Sequence, residues 1–193
     1  MRHLTTKQKE KIVSEQIEST ESNFELETVR QAIADSTPNT AIYIGCDSKR
    51  YIRGGKRKVA YVTVVILHLD QKHGGKIYRQ VLIEDDYGIQ MRQRLMNEVY
   101  HAVGIAMSLQ DVIGDRIFEL HLDIGSNEIE NKSSIILKEA MGYVRGTMGF
   151  DPKVKPVAFA ASSAADTFTV KIADVPKRLR RKPQEPVIVK VNA

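Results

Sequence analysis

Ala41-Ile42-Tyr43-Ile44-Gly45-Cys46-Asp47 is an apolar run closed by a carboxylate. A second run of the same kind, Ile117-Phe118-Glu119-Leu120-His121-Leu122, leads straight into Asp123. Short runs rich in branched and aromatic residues, bounded by turn signals, predict buried strands, and both aspartates then fall at the carboxyl ends of strands. An unpaired carboxylate suffers desolvation there unless a cation or a hydrogen-bond network compensates it. Two strands ending in this way predict an α/β fold built around an acidic, cation-binding centre.

The surroundings of these runs supply the rest of such a fold. Residues 23–34 carry Phe24, Leu26, Val29 and Ile33 near helical spacing and predict an amphipathic helix, which Ser36-Thr37-Pro38-Asn39 separates from the first strand. After it, Gly54-Gly55 and Gly74-Gly75 bracket two β-rich stretches, Lys58 to Leu69 and Lys76 to Glu84, so three consecutive strands can pair as an antiparallel meander. A helix over Gln90 to Leu109, marked by Met91, Leu95, Val99, Val103, Ala106 and Met107, is its natural cover and sets Glu98 at the border of the buried face.

Beyond Asp123, Gly125-Ser126-Asn127 predicts a turn, and Ile135, Leu137, Ala140, Met141 and Val144 mark a further helix closed by Gly149. Lys153 to Phe159 reads as a short strand, and Ala160 to about Ile172 as a small-residue-rich helix carrying Asp166. The expected division is a polar segment with an amphipathic helix over 1–40, one α/β domain over 41–173, and a basic tail over 174–193 in which Val187 to Val191 has some β character.

Composition narrows the function. With 193 residues, 42% hydrophobic and 27% charged, the chain has the make-up of one ordinary globular domain. No apolar stretch is long enough to span a bilayer, and the first residues lack a secretory pattern, so a cytoplasmic location without membrane partners is expected. The single cysteine, Cys46, excludes an internal disulfide and a cysteine-rich zinc cluster, and inside an apolar run it reads as a small core residue. A net charge of +5 favours a polyanionic partner. The basic residues cluster at Lys49-Arg50, Arg53 and Lys56-Arg57-Lys58, and again at Lys177, Arg178, Arg180, Arg181 and Lys182. A basic rim around an acidic centre suits a nuclease.

Phosphodiester hydrolysis needs a nucleophilic water and stabilisation of an electron-rich transition state, tasks that two divalent ions can share. Magnesium or manganese takes hard oxygen donors. Asp47 is expected to bridge two ions, with Glu98 and Asp123 holding one and Asp166 the other. Ser48, Lys49 and Lys132 are candidates to meet substrate phosphate, and Arg178, Arg180 and Arg181 to follow a nucleic-acid backbone. Each has a plainer reading: Asp47 and Ser48 as turn residues, Lys49 as a solvated lysine, the tail as solubilising charge, and His121 as a hydrogen-bonded core histidine.

The order of strand aspartate, helix glutamate, strand aspartate and late-helix aspartate after a meander resembles the ribonuclease H-like superfamily. The blocks Ile44-Gly45-Cys46-Asp47-Ser48, Arg94 to Tyr100 around Glu98, His121-Leu122-Asp123-Ile124, Lys132-Ser133-Ser134, and Lys155-Pro156 through Ala161-Ser162 to Ala165-Asp166 look like the YkuK-like family of predicted nucleases. The resemblance covers about residues 41–171. It implies a mixed five-stranded sheet flanked by helices, with the amino-terminal helix and basic tail added to it. It also implies metal-dependent cleavage of RNA, DNA or their hybrid at the four acidic positions. Where ribonuclease H enzymes commonly have glycine after the first aspartate, this chain has Ser48. Two other functions stay open at this point: a noncatalytic nucleic-acid-binding module on the same fold, and a phosphohydrolase acting on small phosphates.

Overall fold

The computed structural model describes residues 24–72, 74–124, 131–166, 168 and 187–189, without the side chains of 131–135, 162, 163 and 187–189. The expected turn at Gly125-Ser126-Asn127 and the basic residues Arg178, Arg180 and Arg181 lie outside the described residues, as does the Lys132 side chain.

Helix α1 (Leu26–Ala34) precedes a long hairpin of β1 (Ala41–Arg53) and β2 (Lys56–His68), and β3 (Gly75–Asp85) completes the antiparallel meander. Gly54 and Gly55 link β1 to β2 with φ of 58° and 73°, the positive pair that a tight two-residue hairpin loop demands and that glycine adopts without strain. Next come α2 (Met91–Ile113), β4 (Phe118–Leu122), α3 (Asn131–Met148) and β5 (Lys153–Val154). The five strands form a mixed α/β sheet, with β4 parallel to β1 and β5 parallel to β4. A sixth, β6 (Val187–Val189), pairs antiparallel with β3 and makes the order β5-β4-β1-β2-β3-β6.

The hydrophobic pattern explains the layering. From Val59 to Ile66, β2 is buried on both faces, as a central strand should be. Odd and even residues feed two different cores. Ile42, Ile44, Cys46, Leu120 and Leu122 face α2, α3 and α1, whose Val29, Ile33, Val99, Val103, Ala140 and Val144 fill the larger core. Ala60, Val62, Val64 and Ile66 face a π-helical segment, Ala160–Ala165. Gly45 is the close approach between sheet and segment: a Cβ there would lie 2.5 Å from the Ala161 backbone nitrogen.

Several elements depart from the sequence expectation. The amino-terminal helix, set apart from the domain in sequence, puts Val29 and Ile33 fully into its core. Helix α2 runs one turn past Leu109 because Ile113 continues the buried stripe, and Gly114 at φ 58° ends it. In that stripe Met96 is buried while Met91 and Met107 are exposed. Strand β1 does not stop at Asp47. Its polar half, Ser48–Arg53, keeps pairing with β2 out to Arg53. The start of the small-residue-rich helix expected from Ala160, Ala160–Ala165, is wound as a π-helix.

Candidate functional site

Parallel pairing of β1 with β4 runs through Cys46 opposite Leu122. Continuing that register by one residue would bring Asp47 level with Asp123, which directly follows the end of β4. At that step β4 ends and β1 continues, so Asp47 lies where β1 loses β4 while still pairing with β2. Strand alternation turns both carboxylates to the face covered by the π-helical segment, opposite Cys46 and Leu122. Asp166 follows that segment immediately and is exposed. Lys49, two residues after Asp47, shares the same face of β1.

Glu98 comes from the other side. It projects from α2 among Val99, Ala102 and Met96 and is only 4% exposed, bordering the buried face as its spacing predicts. Its Oε1 accepts a hydrogen bond from Ser48 Oγ at 2.5 Å and another from Arg94 Nη1 at 3.2 Å. Arg94 Nη1 also donates to Ser48 Oγ at 2.5 Å and to the Ser48 carbonyl at 2.9 Å. Ser48 therefore spends its one hydroxyl proton on Glu98, on the face away from Asp47 and Lys49. Alternation along β1 turns successive side chains to opposite faces, which puts Ser48 on the Glu98 side of the sheet.

Burial pushes the Glu98 carboxyl up to about 8, and the negative charges of Asp47 and Asp123 add to it, while the Ser48 hydrogen bond and the Arg94 charge pull the other way. Glu98 therefore carries its proton at neutral pH in the metal-free protein. The same burial, reinforced by Glu98, holds the Cys46 thiol well above its ordinary pKa, which agrees with a core cysteine rather than a nucleophile.

Asp123 is mostly enclosed. Lys155 Nζ lies 2.7 Å from its Oδ1, yet out of hydrogen-bond alignment, so this buried oxygen accepts no hydrogen bond. The Lys155 backbone N–H donates to the Ile124 carbonyl at 3.3 Å, which ties the segment after β5 to the end of β4. Among the described residues no three His, Cys, Asp or Glu side chains are gathered closely enough to hold one ion. The structure puts Asp47 and Asp123 one residue past the last β1–β4 pair and couples Glu98 to both through charge. Lys155 occupies Asp123, and Ser48 and Arg94 occupy Glu98.

His121 is fully buried beneath the π-helical segment. Its Nδ1 accepts the Ala160 N–H at 3.1 Å, so its Nε2 carries the proton toward Glu119 Oε2, also 3.1 Å away. Tyr43 and Phe159 pack against the ring. It is the hydrogen-bonded core histidine of the plainer sequence reading, and it fixes where the segment leading to Asp166 begins.

Sequence reasoning assigned no role to Arg94 or Lys155. Arg94 could have been found, since it stands four residues before Glu98 on one helix. Lys155 meets Asp123 only through the pairing of β4 with β5, which no local spacing encodes.

Among the described residues no helix is long and apolar enough to cross a membrane. No curated protein and no solved structure matches the chain. The sequence model of one protein family, described as Ribonuclease H-like, matches residues 24–170, from the residues just before α1 to beyond Asp166.

Proposed function

The chain belongs to the ribonuclease H-like family, and on that premise we propose that it is a divalent-metal-dependent nuclease with Asp47 and Asp123 at the centre of its site. The observation that carries this reading is that Asp47 and Asp123 each directly follow the last β1–β4 pair and that the charge of both helps to push the buried Glu98 up to about 8. Glu98 feels the charge of both aspartates, and a buried oxygen of Asp123 accepts no hydrogen bond, so oxygen donors converge here without a complete hydrogen-bond network.

The donor set fits magnesium or manganese. Magnesium binds through one or two carboxylates and completes its shell with water and substrate phosphate oxygens, so Asp47 and Asp123 suffice as first ligands. Glu98 and Asp166 are the further carboxylates of the two-ion reading. Bound there, the ion would polarise the phosphodiester and lower the pKa of its water. The protein's own groups do the rest. Ser48 and Arg94 hold Glu98 in place from behind, the strand pair fixes the spacing of Asp47 and Asp123, and Lys49 offers a positive charge to a phosphate on the Asp47 face. The hairpin residues Arg53, Lys56 and Arg57 extend that positive field, and the tail residues Arg178, Arg180 and Arg181, with Lys132, are proposed to add to it. RNA, DNA and hybrid are all within the substrate class.

The test compares wild-type protein with Asp47→Asn on labelled single-stranded RNA and DNA, hybrid, duplex and branched substrates, in magnesium, manganese or chelator. Cleavage should require the metal and vanish in Asp47→Asn. A folded Asp47→Asn protein that cleaves near the wild-type rate overturns the assignment, and salt-sensitive binding without cleavage of any substrate favours the noncatalytic binding module.

A further inference from the structure

We propose that Lys155 is a resident cation of the acidic site: its ammonium stands on Asp123 while the site is metal-free and turns to a substrate phosphate once a metal ion takes that oxygen. The second half rests on the nuclease reading; the first does not.

The geometry around Asp123 is unlike that of an ordinary surface pair. The Asp123 side chain is 17% exposed and that of Lys155 is 46% exposed, so an enclosed anion is met by a cation whose stem stands half in water. The contact is close at 2.7 Å but unaligned, and Oδ1 has no other donor. An oxygen built into a structural network would receive N–H groups aimed at it. This one receives only positive charge, which is also what a metal ion supplies.

The anchoring of Lys155 makes the exchange mechanically simple. Its backbone is tied to Ile124, the residue after Asp123, while its four-carbon stem stands half in water. When a divalent ion occupies Oδ1, repulsion drives the ammonium off. It remains within a side chain's reach of any anion that the metal brings in, and a lysine binds phosphate as a point charge without requiring a fixed fork geometry. Neither Asp47 nor Glu98 can substitute, since neither supplies positive charge, and Arg94 is committed to Ser48 and Glu98.

Lys155→Met keeps the stem and deletes the charge. Manganese titration of the nucleic-acid-free protein, followed by the resonance of the free ion, should show roughly two- to fivefold tighter binding to Lys155→Met than to wild type. Lys155→Arg should stay near wild type. In calcium, binding of a labelled RNA–DNA hybrid should weaken in Lys155→Met, with the slope of log affinity against log salt reduced by about one. Unchanged manganese affinity overturns the metal-free role, and an unchanged salt slope, or no binding of hybrid at all, overturns the phosphate contact. If manganese binding to the wild type is instead indifferent to Asp47→Asn, the nuclease reading fails, and the comparison of Lys155→Met with wild type still decides the ion pair separately.

Discussion

Replacing Glu98 by glutamine keeps the shape of the side chain and the oxygen that Ser48 and Arg94 donate to, and removes the titrating proton. The wild-type carboxyl moves from an ordinary 4.5 to about 8 on folding, because burial outweighs its hydrogen bond. Below pH 4.5 it is protonated in folded and unfolded chains alike, and folding is unaffected. Between 4.5 and about 8 the unfolded chain releases a proton that the folded chain retains, so stability falls by about 1.4 kcal/mol per pH unit. The deficit is about 3 kcal/mol at pH 7 and levels off near 5 kcal/mol above pH 8.

Glu98→Gln escapes this loss. In chelator at pH 7 it should be the more stable protein by about 3 kcal/mol, or about 1 to 2 M in urea midpoint for a chain of this size. The two proteins should converge near pH 4. Urea unfolding at pH 4, 5.5, 7 and 8.5 reads the difference directly. A variant no more stable than wild type at pH 7, or a difference that does not grow with pH, refutes the placing of a neutral carboxyl at this position. Stability gained at the expense of activity is also what a functional carboxyl, rather than a structural one, should give.

Two further substitutions test how the π-helical segment is seated. Gly45→Ala would drive a methyl group to within 2.5 to 2.9 Å of the Ala160 and Ala161 backbone, and overpacking of this kind costs about 1–3 kcal/mol or more in urea unfolding. An alanine variant of wild-type stability would show that the segment is not held against β1. His121→Leu leaves the buried Ala160 N–H without its acceptor, a loss of about 1–3 kcal/mol; faster hydrogen exchange at 160–165 is the accompanying sign, and unchanged exchange there would count against it. Burial also lowers the His121 pKa below 6.5, so in wild type this contribution is present above pH 6.5 and is lost as pH falls through the lowered value.

The fold was largely legible because its signals are local. Paired glycines marked the hairpin connections, apolar runs marked the buried strands, and the stripe on α2 placed Glu98 at the border of the core. The far half of β1 was not legible in this way. Ser48–Arg53 has the composition of a loop and is strand only because β2 pairs with it through the backbone. The site was legible as a set of residue types and less so as an arrangement. The opposite facing of Asp47 and Ser48 follows from simple alternation and could have been read. The occupation of Asp123 by Lys155 depends on two residues of β5 lying beside β4, which is a tertiary fact.

The π-helical winding of Ala160–Ala165 bears on the phase of everything that follows it. A turn closed from i to i+5 holds one residue more than a turn closed from i to i+4, and one residue of an α-helix is a rotation of about 100°. Asp166 is the next residue, so it leaves the segment about a quarter-turn from the azimuth that an unbroken α-helix would give it. Counting along the alanines on a helical wheel therefore misaims this carboxylate. Its bearing is set by how the backbone of the segment seats over Gly45, and losing a single alanine would swing Asp166 round the axis while leaving the composition of the segment almost unchanged.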